Sequence, residues 1–150
     1  MKKLLTKIAG LFAVFALLIG LGGCFESSYS SSSMKSGLEK AGYKVDENPV
    51  IVNLDTSKLE GYKSSLYGYK TVDGTEDAIL ILIFDSTANV EKATASKETS
   101  SGDKMANDFV TIMYRWGRNH APETDTSVYG TANNIVWAGS SEAKKAAGIL

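Results

Sequence analysis

The segment Tyr114–His120 carries the densest set of side chains that could bind a ligand. It contains both arginines of the chain, Arg115 and Arg118, together with Trp116 and His120, the only histidine. Guanidinium groups bind carboxylates and phosphates through paired hydrogen bonds, and an indole ring stacks on sugars and on other rings. We interpret the segment as a candidate binding site. The alternative is that the indole packs at the edge of the core and the arginines pair with surface acids.

Two tyrosines, Tyr67 and Tyr69, form a second candidate binding surface. Alternate residues of a β-strand point to the same face of a sheet, so both rings would lie on one side of a strand predicted over residues 65–72. Tyrosines in a row present a flat surface to a glycan or to a partner protein. The alternative is that the rings pack against cross-strand neighbours and serve only the fold.

Three acids at a predicted hairpin tip, Asp73, Glu76 and Asp77, could supply oxygen ligands to a hard cation. A solvated tip explains the same residues, and we favour it. The chain has no nucleophile-elbow, phosphate-loop, dinucleotide or zinc-helix motif, and a zinc site needs more than a single histidine. The sequence therefore predicts no metal and no enzyme, with a carboxylate-based hydrolase as the least favoured alternative.

The first 23 residues have the pattern of a targeting segment. Three lysines (Lys2, Lys3 and Lys7) precede an apolar run over residues 8–21. This run is shorter than the roughly 20 residues that a permanent membrane-spanning helix needs. It has the length of the apolar core of a secretory signal peptide, a kind of segment that is removed on export.

The leader ends in the sequence Leu-Gly-Gly-Cys over residues 21–24. This resembles the lipobox of bacterial lipoproteins, and the resemblance covers residues 1–24, with no family recognised for the rest of the chain. It implies cleavage before Cys24 and a diacylglycerol group on the Cys24 sulfur, which would hold the protein at the outer face of the cell membrane. Because Cys24 is the only cysteine, its acylation leaves no thiol for a disulfide, a metal or a nucleophile. No other cofactor is predicted.

Charge and composition narrow the class of partner. Removal of the leader, which holds three lysines, leaves 13 basic against 17 acidic residues, a net charge of −4. Such a balance argues against nucleic acid as a partner. Residues 24–33 are interpreted as the lipidated cysteine and a serine-rich tether that reaches roughly 15–18 Å. Residues 34–150 suffice for a single domain. We therefore expect a partner near the membrane, either a protein or an envelope glycan.

The elements that must position these side chains follow from periodicity, turn residues and caps. The strongest signal is Ala78–Phe84, an uninterrupted apolar run typical of a central strand covered on both faces. The remaining predictions are a helix from Met34, an extended run over 50–54, strands over 65–72 and 109–116, a helix capped at 85–87, a hairpin over 127–138 and a last helix after Ser140.

Strands that pair as hairpins favour an α+β fold with a mostly antiparallel sheet and helices packed on one face. A faint likeness between residues 83–93 and 136–146 suggests two β-β-β-α units. The function that these observations predict is a membrane-anchored binding module on the extracytoplasmic side. The alternative is a structural or assembly component of the cell envelope.

Overall fold

A computed structural model describes residues 28–95 and 109–150. The predicted leader and Cys24 lie outside these ranges. The described elements, in chain order, are α1 Ser31–Lys40, β1 Lys44–Glu47, a 3₁₀ turn Thr56–Lys58, β2 Tyr62–Val72, β3 Thr75–Phe84, α2 Thr87–Thr94, α3 Phe109–His120, β4 Tyr129–Ala132, β5 Ile135–Gly139 and α4 Ser141–Ala146.

Within the described ranges the five strands form one antiparallel sheet in the order β1-β2-β3-β5-β4. The predicted α+β class with an antiparallel sheet is confirmed. Asp73 and Gly74 join β2 to β3, and both have a positive φ, as the tight turns that favour hairpins require. Ser86 and Ser140 cap α2 and α4 through their side-chain oxygens, as predicted.

The helices cover both faces of the sheet, whereas the sequence suggested one. The apolar side chains of β3 divide between two clusters, with Ile79, Ile81 and Ile83 in one and Leu80, Leu82 and Phe84 in the other. Helices α1 and α4 cover the isoleucine face, and α2 and α3 cover the opposite face. A strand that is apolar on both sides needs a layer of packed side chains on each side. The prediction that the helices pack on one face only was therefore wrong.

The strand predicted over residues 109–116 is helix α3. Its buried residues, Phe109, Met113 and Gly117, are spaced by four, which is the period of a helix face. The segment is rich in β-branched and aromatic residues, and packing against the sheet overrides that local strand preference. The second half of the described fold therefore runs α-β-β-α, and the predicted second β-β-β-α unit is absent from it.

The extended run predicted over residues 50–54 is a loop, and the edge strand β1 precedes it. Asn53 has a φ of 65°, which turns the chain and prevents a strand here. Helix α1 begins at Ser31 with Ser30 as its N-cap, inside the stretch interpreted as tether. Serines can therefore serve as caps as well as linkers, and composition alone does not separate the two roles.

Candidate functional site

The structure brings together the aromatic residues of the two sequence-predicted sites. Trp116 stacks on His120, with ring centroids 3.9 Å apart and planes 10° apart. Tyr67 meets Trp116 edge-on at 5.7 Å and stacks on Tyr69 at 4.8 Å. These four residues are called the aromatic cluster below. The two contacts of Tyr67, one stacked and one edge-on, are geometries that aromatic pairs prefer.

Two periodicities create this cluster. Tyr67 and Tyr69 alternate along β2 and therefore point to the same face, where Tyr67 lies opposite Leu80 of β3. Trp116 and His120 are four residues apart on α3 and therefore share one side of that helix. Helix α3 packs on the same face of the sheet, which brings the two pairs of rings into contact.

Polar contacts fix the orientation of the cluster. The Tyr67 hydroxyl donates to Glu76 Oε1 at 3.0 Å, and His120 Nδ1 donates to the Trp116 carbonyl at 2.8 Å. This leaves His120 Nε2 facing the same Glu76 oxygen at 3.8 Å. Burial and the hydrogen bond to Glu76 raise the pKa of Tyr67 well above its usual value, so its hydroxyl remains a donor.

A groove of about 360 Å³ opens beside the cluster. Tyr67 and Leu80 lie on the sheet beneath it, Trp116 and His120 come from α3, and its remaining lining is residues 49–52. Ile51 is only 8% exposed, whereas Val50 is 96% exposed and Val52 is 77% exposed. A largely apolar, concave surface with outward-facing valines is the kind of surface that binds a ligand or a partner.

The two arginines do not join the cluster. Arg118 donates to the backbone carbonyls of Pro122 at 2.7 Å and Asp125 at 2.8 Å, and thereby fixes the loop after α3. Arg115 is exposed. The predicted combination of arginine forks with Trp116 is therefore not assembled, and the side chains brought together are aromatic.

The three hairpin acids also separate. Asp73 is exposed, Glu76 turns to the aromatic cluster, and Asp77 is buried on the opposite face with 7% exposure. The Tyr43 hydroxyl donates to Asp77 Oδ2 at 2.5 Å, while Asp77 Oδ1 is buried without a hydrogen-bond partner among the described residues. Burial and this carboxylate raise the pKa of Tyr43 far above its usual value.

The solvated tip is thus wrong for Asp77, and the buried Tyr43–Asp77 pair is a feature that the sequence did not reveal. Tyr43 follows the C-terminus of α1 and has no motif around it. Its partner lies 34 positions later, across the strand pairing, so only the fold brings the two together. The described ranges contain no group of three or more histidine, cysteine, aspartate or glutamate side chains that could hold a metal ion.

Two further observations concern the whole described chain. No helix within residues 28–95 and 109–150 has the length and apolar character that crossing a membrane requires. Comparison with family models, with curated proteins and with solved structures gives no match for this chain.

Proposed function

We propose that this protein is a binding module held at the outer face of the cell membrane by a diacylglycerol group on Cys24. The observation that carries the binding role is the groove bordered by the aromatic cluster and by the exposed Val50 and Val52. The lipobox-like leader supports the location. Two acyl chains anchor a protein stably, whereas one chain gives only marginal binding.

The chemistry of the groove favours an apolar segment of a partner protein as its occupant. Aliphatic side chains form most of its lining, and aromatic rings provide large rigid contact areas of the kind that dominate protein interfaces. His120 belongs to this lining, and its Nε2 lies 3.8 Å from Glu76 Oε1. An envelope glycan is the second candidate, because a sugar can stack on an aromatic face and both Tyr67 and Trp116 line the groove.

Photo-crosslinking in cells tests the proposal. The photoreactive residue p-benzoylphenylalanine replaces Tyr69, which stacks on the groove-lining Tyr67. As a matched control it replaces Tyr114, an exposed tyrosine of α3 that neither lines the groove nor belongs to the aromatic cluster. We expect one discrete protein adduct from position 69 and none from position 114. The adduct should weaken in a Cys24→Ser variant, which keeps the groove but loses its placement at the membrane.

Two outcomes would contradict the proposal. Adducts of equal yield from both positions would show that no partner binds specifically at the groove. A sole adduct with a second copy of the chain, accompanied by concentration-dependent sedimentation of the purified protein, would favour the structural or assembly role. If position 69 forms adducts with carbohydrate only, the ligand is an envelope glycan and not a protein.

A further inference from the structure

Strand β1 lies at an edge of the sheet and pairs on one side only, with β2. Directly after its last residue, the Asn48 amide donates to the Ser65 carbonyl at 2.8 Å. Hydrogen-bonded and non-bonded residue pairs alternate along antiparallel strands. The even-numbered residues of β1 therefore bond to β2, whereas the backbone groups of Val45 and Glu47 point away from the sheet. Among the described residues, no backbone group of another element pairs with them.

The side chains of β1 divide between the two faces of the sheet. Lys44 and Asp46 lie opposite the two tyrosines of the aromatic cluster, and directly opposite side chains share a face. Both charged residues are exposed, and neither makes an ion pair within residues 28–95 and 109–150. Val45 turns to the other face, where it packs against the isoleucine cluster. The edge therefore offers one cation and one anion, both without a partner, on the groove side of the sheet.

A second copy of β1 matches this edge in the antiparallel direction. Only outward-pointing residues can form the hydrogen-bonded pairs of the joint, so the two strands can slide only in steps of two residues. With Val45 opposite the partner's Val45, Lys44 lies opposite the partner's Asp46, and two-fold symmetry repeats this pair. One step in either direction places Lys44 opposite the partner's Lys44, or Asp46 opposite the partner's Asp46. Like charges directly opposite are unfavourable, so the side chains favour a single register.

Helix α1 extends this short joint. Strand β1 has only four residues, and a joint of that length is small for a stable interface. Helix α1 packs on β1 as well as on β2, so two joined edges bring the α1 helices of both copies side by side. Lys35 of α1 pairs with Glu47 at 3.2 Å, which ties the helix to the end of the edge strand.

We infer that β1 pairs with the β1 of a second copy of this chain, in antiparallel register with Val45 at the two-fold axis. The two five-stranded sheets then form one continuous sheet. The axis is perpendicular to the sheet, so both copies turn their aromatic clusters to the same side. The inference does not depend on what occupies the groove. It implies that a ligand with two binding segments can engage both grooves at once.

Disulfide trapping tests the pairing. Residues in a hydrogen-bonded pair have Cα atoms about 5.5 Å apart, a distance that a disulfide spans. The full chain carries Val45→Cys or, as a matched control, Thr131→Cys on β4, the strand at the other edge of the sheet. Membranes from the producing cells are treated with a mild oxidant, and the unsubstituted chain reports any dimer formed through Cys24. We expect a covalent dimer from position 45 and only the background yield from position 131.

Charge reversal tests the register. Lys44→Asp converts two attractive cross-strand pairs into two repulsive ones, so it should weaken dimerisation of the purified full chain about tenfold in sedimentation experiments. Addition of Asp46→Lys to the same chain restores opposite charges at both pairs and should restore the dimer. Lys63→Asp makes the same charge change at an exposed residue of β2 outside the stretch that pairs with β1, and should leave the dimer unchanged.

Other outcomes overturn the inference in distinguishable ways. Absence of the disulfide at position 45, in protein with the native circular dichroism spectrum, refutes the pairing, and the charges then serve to keep the edge unpaired. Equal yields from positions 45 and 131 would indicate random collision. Failure of Asp46→Lys to restore the dimer would refute the register. A disulfide with a different protein would mean that the edge receives a foreign strand. None of these results changes the expected adduct at position 69, so the proposed function is tested separately.

Discussion

Substitution of Tyr43 by phenylalanine should destabilise the domain by about 2–3 kcal/mol, because a buried charged acceptor then loses its donor. The Tyr43 hydroxyl is the partner of Asp77 Oδ2, and Asp77 Oδ1 has none among the described residues. Phenylalanine keeps the ring that lies 4.3 Å beneath the Lys70 ammonium group, so the change isolates the hydroxyl. For a domain of this size the cost corresponds to a fall in Tm of about 10 °C.

Urea denaturation followed by circular dichroism measures this effect, and Asp77→Asn provides the matched background. An amide at position 77 still accepts from Tyr43 but leaves no buried charge when the hydroxyl is removed. We expect Tyr43→Phe to cost less than half as much in that background. A cost below about 0.5 kcal/mol in the native background, or the same cost in both, would refute the view that the pair is held by a charged hydrogen bond.

Three further predictions concern the site and its supports. The folded state holds the Tyr67 proton more tightly than the unfolded chain, so stability should fall as pH rises above about 10, and Tyr67→Phe should reduce that fall in an alkaline denaturation series. Gly117→Ala should lower the urea midpoint strongly because an added Cβ meets backbone of the β4–β5 region, and an equally stable variant, or an equal loss in exposed Asn119→Ala, would contradict this. Asn134→Ala removes three hydrogen bonds that end on Tyr29 and Phe84, so limited proteolysis near residue 28 should accelerate; unchanged cleavage would show that the ring alone holds the segment.

The parts of the fold that sequence predicted well are those with local causes. The run Ala78–Phe84 is apolar at every position, and only a strand covered on both faces buries all the side chains of such a run. The capping serines at 86 and 140 depend on a backbone conformation that their own side chains favour. The hairpin between β2 and β3 was also predicted, but its turn is Asp73–Gly74 alone, because Thr75, Glu76 and Asp77 belong to β3.

The failures have nonlocal causes. Helix α3 has residues with a strand preference, and its helical state depends on packing Met113 and Gly117 against the sheet. The predicted strand ended at Trp116 and therefore left Arg118 and His120 beyond it. The helical period instead keeps Trp116 with His120 and turns Arg118 to the following loop. The candidate site could therefore be assembled correctly only after α3 was known to be a helix.

The hydrogen bonds of Tyr29 also constrain the order in which the protein can fold. They reach Asn134 and Leu150, more than 100 positions along the chain, and α1 packs on α4 at the other extreme of the described sequence. A chain that emerges amino end first from a ribosome or an export channel can form the β2–β3 hairpin early, because its contacts are short in sequence. The isoleucine face stays open until α4 and the residues after it have emerged. These residues thus close that part of the core and secure Tyr29.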